Sequence, residues 1–330
     1  MNNRTNLMFL TLLGLAALFS PCINAQDIGN IKGDRITKQI GQNDGLASYV
    51  SMSVTPTDKR RSAFSEMASF EKASLFKFHL AFQLVKRPEL TEDQQTLILE
   101  TISRISNDTY EMQNAEKRAT AEQNAAVLQS AAVRIFRPKD VSNIFAGLGG
   151  NEADISLLER YRNITFIESN SARKQAFREL SAKDKSDVWR TQMAYYLATD
   201  DTLNDSQRKF ILRVIKFLTP ANFETPDGPV DRKMTNGELG ALELDAKAVF
   251  DDAKIRRLFA SLGNPGICAV KASPVLRLEG TPDCSCSLSY NDCSQTTTCS
   301  SGGCEQTWYG CGFLWLQWCT GECRLHGEDQ

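Results

Sequence analysis

Histidine is nearly missing from this 330-residue chain, which has His79 and His326 and no others. Neither lies in an HExxH, GxSxG, P-loop or dinucleotide-type glycine motif, and no such motif occurs elsewhere, so an enzyme is not expected. Charge of one sign is also missing. The 38 Lys and Arg balance 40 Asp and Glu to a formal net charge of -2, which argues against a nucleic-acid binder. No run of eighteen apolar residues is present to span a bilayer. Cysteine is scarce over most of the chain. Of ten, Cys22 stands near the start, Cys268 stands alone, and the remaining eight fall within the last 47 residues.

What the N-terminus does have is Arg4, an uncharged and mostly apolar run from Leu7 to Phe19, then Pro21 and Ile23-Asn24-Ala25. This reads as a secretory signal peptide over residues 1–25 with cleavage after Ala25. The alternative is a lipoprotein anchored through Cys22. Either way the mature chain is expected outside the cytosol: secreted, periplasmic or on the surface of a bacterial cell. There, clustered cysteines are read first as disulfides and only second as metal ligands.

Residues 26–271 are rich in Ala, Leu, Glu, Lys, Arg and Gln with apolar residues three to four apart, which argues a mainly α domain. Within it the sequence repeats. Phe64 to Ser106 laid over Phe177 to Thr219 at an offset of 113 matches ten of 43 positions without a gap. After one inserted residue the likeness returns, with Phe145-Ala146-Gly147-Leu148-Gly149 over Phe259-Ala260-Ser261-Leu262-Gly263. We read two tandem similar helical halves, about 64–149 and 177–263. Thr91 and Asn204 share an aligned position, each followed three residues later by Gln, so both should open a helix with a capping box. Ser181 and Asp184 suggest another. Gln113 to Gln129 reads as a solvated helix of the first half, replaced in the second by the loop-like Pro226-Asp227-Gly228-Pro229.

His79 faces glutamine at the aligned position, Gln192, and sits among Phe76, Phe78 and Leu80; it reads as a packed helix residue. Gly149-Gly150 reads as a helix stop. The pairs Asp200-Asp201 and Asp251-Asp252 read as surface or helix-terminal charge.

Residues 272–283 hold Pro274, Gly280 and Pro282 and form a linker, with Gly280 a candidate maturation site for a protease. Residues 284–330 carry Cys284, Cys286, Cys293, Cys299, Cys304, Cys311, Cys319 and Cys323. So short a module cannot bury enough surface to fold alone, and needs four disulfides drawn from 105 possible pairings. Zinc is the weaker alternative by spacing; no cofactor or metal is expected. Cys268 is left over, as a free buried thiol or a bridge to another chain or to the linker. Trp308, Tyr309, Phe313, Trp315 and Trp318 form either a tiny core or a surface for a membrane or protein partner. Cys284 to Cys323 holds no Lys or Arg before Arg324 and three acids, Asp292, Glu305 and Glu322, which disfavours cationic attraction to anionic lipid.

Cys284-Ser-Cys286-Ser, the spacings to Cys293, Cys299 and Cys304, and Gly310-Cys311-Gly312 with Trp315 and then Cys319 resemble the family named bacteriocin fulvocin C-related proteins. The resemblance covers about the last 47 residues. The chain departs from the bacteriocin for which the family is named in the wider spacing of Cys319 and Cys323 and in the acidic tail Glu328-Asp329-Gln330. The resemblance implies an antimicrobial, bacteriocin-like precursor. Its helical pro-region or carrier would precede a stapled module, with little regular structure, that acts on a competitor's membrane or surface receptor. The alternative is an uncleaved exported or surface-anchored protein whose module recognises a partner. The sequence does not set the oligomeric state.

Overall fold

The computed structural model of the protein describes residues 45–110, 115–145, 148–167, 170–224, 232–263, 284, 286–287, 293, 297–304 and 306–325. Ala25, Cys22, Cys268, the linker with Gly280, His326 and the acidic tail lie outside them. The described residues are mainly α-helical, with four short strands near the C-terminus. The chain forms two compact units. The first takes residues 1–158 and 194–203, and the second takes 159–193 and 204–330. The described residues of the C-terminal module therefore belong to the second unit.

In the first unit, α1 (Gly45–Val54) lies on α3 (Ser69–Lys86). Tyr49 sets its ring edge-on against Phe78 and Phe82 at 5.5 and 5.6 Å, the geometry aromatic quadrupoles favour. In the chain between α1 and α3 comes α2 (Arg60–Glu66). The helix α4 (Glu92–Arg104) buries Leu97, Ile98 and Ile102, one stripe at helical spacing. A 3-10 turn (Asn107–Tyr110), α5 (Ala115–Ile135) and α6 (Pro138–Phe145) follow. The helix α7 (Glu152–Thr165) begins in this unit, where Asp154 accepts from Lys86 Nζ at 2.6 Å.

The second unit holds α8 (Asn170–Arg178), most of α9 (Ala182–Thr199), α10 (Asp205–Phe217), a 3-10 turn (Pro220–Phe223), α11 (Arg232–Val249) and α12 (Asp252–Phe259). Its core centres on Phe210, Phe250 and Phe259, mutually edge-on at 5.6 to 5.7 Å.

Helix bounds recur at the spacing of the sequence likeness. The ranges of α3, α4 and the first 3-10 turn, moved by 113, give those of α9, α10 and the second; α6, moved by 114, gives α12. Both capping boxes form. Thr91 Oγ1 accepts from Gln94 N at 3.3 Å and Asn204 Oδ1 from Gln207 N at 2.9 Å, while each glutamine oxygen accepts from the cap's own N–H. At Ser181 the hydroxyl oxygen accepts from Asp184 N, but the Asp184 carboxylate takes the Ser181 hydroxyl and pairs with Arg160 at 2.7 Å.

One expectation changes. The second half does not replace the first half's polar helix with a loop, because α11 ends 114 residues after α5; Pro226 to Pro229 lie outside the described residues. Nor is α5 wholly solvated, since Ala125 and Ala132 are buried.

Each half closes on an arginine that the periodicity did not single out. Arg60 donates from Nη1 to Leu148 O at 3.1 Å and from Nε to Thr55 O at 2.9 Å. Arg173, 113 residues on, donates to Leu262 O and, at 3.1 Å, to Ile167 O. The next residue is Gly149 or Gly263, at φ 94° and 107°. A β-carbon on Gly263 would stand 2.9 Å from Thr165 O and 3.0 Å from Arg173 Nη1, so glycine is required both by conformation and by close approach.

Candidate functional site

The cysteine module is built on two antiparallel pairs. Strand β1 (Thr297–Ser301) pairs with β4 (Gly321–Leu325), bringing Cys299 opposite Cys323, and β2 (Thr307–Cys311) pairs with β3 (Gln317–Cys319). All eight expected cysteines are joined: Cys284 to Cys304, Cys286 to Cys299, Cys293 to Cys323, and Cys311 to Cys319. Two of these bonds tie Cys286 and Cys293 to the β1/β4 pair. Cys286 also exchanges backbone hydrogen bonds with Gly321 at 3.0 and 3.1 Å. The sulfurs of Cys286, Cys293 and Cys323 lie within 4.8 Å of one another, but every one is committed to a disulfide and has no thiolate to offer a metal. Four structural disulfides belong to an oxidising compartment. Among the described residues no helix is long and apolar enough to cross a membrane.

The Cys311–Cys319 bond straps the neck of the β2/β3 hairpin. At the tip, Leu316 N donates to Phe313 O at 3.2 Å, and Leu314 and Trp315 both take positive φ, 56° and 53°. Asn and Gly normally supply such a turn because a β-carbon there is crowded, at a cost of about 1–2 kcal/mol per residue. Here Leu and Trp hold it, and the strap limits the alternatives of the unfolded loop by about 2–3 kcal/mol in the chain-entropy picture.

The strained turn drives its side chains into the helices of the second unit. Phe313, Leu314 and Trp315 are all 0% exposed. The Trp315 indole stands edge-on to Phe177 of α8 at 5.2 Å and to Trp189 of α9 at 5.9 Å, and Phe313 packs on Phe259 of α12 at 5.0 Å. Trp315 Nε1 donates to Ala260 O at 2.9 Å. Ala260 caps α12, so the indole satisfies one of the carbonyls a helix C-terminus leaves open. Burial of this kind makes truncation of Trp315 or Phe313 worth roughly 3–5 kcal/mol each, which outweighs the strain of the turn.

Cations line the same seat. Lys174 of α8, 2% exposed, lies 5.7 Å from the Trp315 ring centre and 3.6 Å from Cys311 Sγ. Arg178, one turn on, reaches Cys319 Sγ and Cys284 O at 3.5 Å. Lys185 stands over Phe177 at 6.0 Å, and burial pulls its pKa below the usual lysine value. Gln317 at the start of β3 donates to Glu243 of α11 at 3.1 Å.

Two of the expected contact residues are thus corrected. Phe313 and Trp315 do not face a membrane or an external partner, because the module is too small to shelter them and the second unit's helices do so instead. Trp308, Tyr309 and Trp318 lie on β2 and β3, with side chains outside the described residues. The seat itself, Phe177, Trp189, Lys174, Arg178 and Ala260, was not foreseen. Part of it carried a signal: extended four residues upstream, the sequence likeness pairs Arg60-Arg61-Ser62-Ala63-Phe64 with Arg173-Lys174-Gln175-Ala176-Phe177.

His79 is fully buried, and its Nε2 donates to Ile144 O at 2.8 Å. Burial depresses its pKa to about 4, against a smaller upward pull from that hydrogen bond. No protein-family model matches the chain, and no curated protein or solved structure is similar to it.

Proposed function

We propose that this is an exported protein that works as one uncleaved chain, in which the disulfide-stapled module is docked on its own helices and presents a binding surface to a partner outside the cell. The observation that carries this is the hairpin tip. Phe313, Leu314 and Trp315 have no exposed surface and complete the core of the second unit, so a freed module would carry three large apolar side chains into water and leave a hole behind. Recognition then falls to the end of β1 and the stretch between β1 and β2, where Ser301, Gly302, Gly303 and Gln306 are exposed. Such a surface suits a hydrogen-bonding partner, a protein or a glycan, better than a lipid interior.

The resemblance of about the last 47 residues to bacteriocin fulvocin C-related proteins favours a second reading, a precursor that releases its module as a toxin. Non-reducing mass spectrometry of the protein recovered from the producing cells' exterior separates the two. One chain beginning after Ala25, eight hydrogens lighter than its fully reduced mass, is expected. A free fragment of about fifty residues with growth-inhibiting activity would establish release instead.

A further inference from the structure

The wall of the first unit that corresponds to the hairpin seat borders a cavity. Phe76, Tyr110 and Phe145 stand 113, 113 and 114 residues before Trp189, Phe223 and Phe259. In the second unit Trp189 meets Trp315, Phe259 meets Phe313, and Phe223 meets Phe177, which itself packs on Trp315. In the first unit the same three positions line a cavity of about 50 Å³ within that unit.

Three further lining positions explain both the missing volume and its chemistry. Ala125 stands where the second unit has the buried Leu239, and Thr101 where it has the buried Val214. Arg104 stands where it has Phe217. At these three positions the second unit is apolar and packs around an apolar hairpin tip; the first unit's cavity is mostly apolar but also lined by Thr101, Thr109, Asn124 and the Arg104 guanidinium. Arg104 is 40% exposed, and its ion partner Glu100 lies 3.8 Å away, beyond hydrogen-bond distance, so its strongest donors are open to an incoming anion. Mostly apolar walls with one or two convergent polar groups are the usual make-up of a small-molecule site. The volume limits the guest: a cavity of about 150 Å³ takes benzene, so one a third that size takes the last few carbons of a chain.

We propose that this cavity binds an apolar-tailed carboxylate, the hydrocarbon end against Phe76, Ala125 and Phe145 and the carboxylate on Arg104. The site is separate from the hairpin seat and does not depend on the module's role.

Octanoate titrated calorimetrically into the mature, oxidised full-length chain tests it. Saturable binding at one site is expected, with the octanoate methyl giving nuclear Overhauser contacts to the Phe76 and Tyr110 rings. Ala125→Leu, which installs the second unit's side chain and should keep the melting temperature, is expected to weaken binding at least about tenfold. Arg104→Gln is expected to weaken it about tenfold, the scale of one charge-assisted hydrogen bond. Absence of binding, contacts to other residues, or affinity unchanged in a folded Ala125→Leu variant would overturn the site. Affinity unchanged in Arg104→Gln would overturn the carboxylate.

Discussion

The Trp315 indole N–H donates to the Ala260 carbonyl at 2.9 Å, across 55 residues of sequence. That bond joins the tip of a disulfide-strapped hairpin to the end of a helix, and around it Phe177, Trp189 and Phe259 close on Trp315 and Phe313. Trp315→Ala removes the ring and opens a void that rigid neighbours fill only in part, so a loss of roughly 3–5 kcal/mol is expected. Trp315→Phe keeps most of the apolar contact, leaves Ala260 O without its donor and should lose less. Chemical denaturation under oxidising conditions, followed by tryptophan fluorescence and far-ultraviolet dichroism, measures both.

Gly263 and Gly149 should tolerate no side chain. Their φ values of 107° and 94° exclude most L-residues, and an added β-carbon at either would meet the clamping arginine at 3.0 Å. Gly263→Ala and Gly149→Ala are each expected to cost about 1–3 kcal/mol. Gly237→Ala, within α11 and with nothing near an added β-carbon, should instead stabilise by about 0.5–1 kcal/mol. Thermal melts of the three variants check the contrast.

His79 makes stability depend on pH. Its ring titrates near 6.5 when unfolded and near 4 in the fold, chiefly because burial disfavours the charged form. Between those values the unfolded chain binds a proton that the fold does not, so stability rises with pH in that window. It is complete above about pH 6.5 and is lost as pH falls toward 4, by an amount on the order of 3 kcal/mol. Among the described residues His79 Nδ1 and Tyr49 Oη have no hydrogen-bond partner. At the aligned Gln192, by contrast, the amide oxygen accepts from Tyr161 Oη at 2.6 Å. His79→Gln should therefore keep the fold and flatten this dependence, as denaturant midpoints measured from pH 7 down to 4 would show.

Removing the hairpin strap should weaken the seat without dismantling the module. In the double variant Cys311→Ser and Cys319→Ser, the other three disulfides remain. The expected cost is about 2–3 kcal/mol from the freed loop, together with the loss of contacts from Lys174 and Arg178 to the sulfurs. Amide hydrogen exchange should rise first at β2, β3 and the tip. Equal exchange in the variant and the natural chain would show that the strap does not hold the turn.

What the residues disclosed in advance was the local part of this structure. Capping at Thr91 and Asn204 depends on side chains three positions apart, and the helical stripe of Leu97, Ile98 and Ile102 on spacings of one turn, so both are written in short stretches. The cysteines announce that they pair, but not how, because the pairing depends on where β1 meets β4. The seat of Trp315 is less legible still: Lys174 and Cys311 are 137 residues apart, and an aromatic cluster in a small module reads equally as core or as contact surface. Only packing against α8, α9 and α12 decides that two of its rings point inward.

The docking of the module is tested most directly by cutting the chain between it and the helices. A specific protease site placed at Gly280, cleaved under non-reducing conditions, yields residues 26–280 and 281–330 with no module cysteine left to bridge them. The two pieces should run as one particle on gel filtration and by native mass spectrometry, separating only when Trp315→Ala is added or the protein is denatured. A module that leaves intact and folded on cleavage of the natural sequence would contradict the docking of the hairpin, and with it the reading of an uncleaved, working chain.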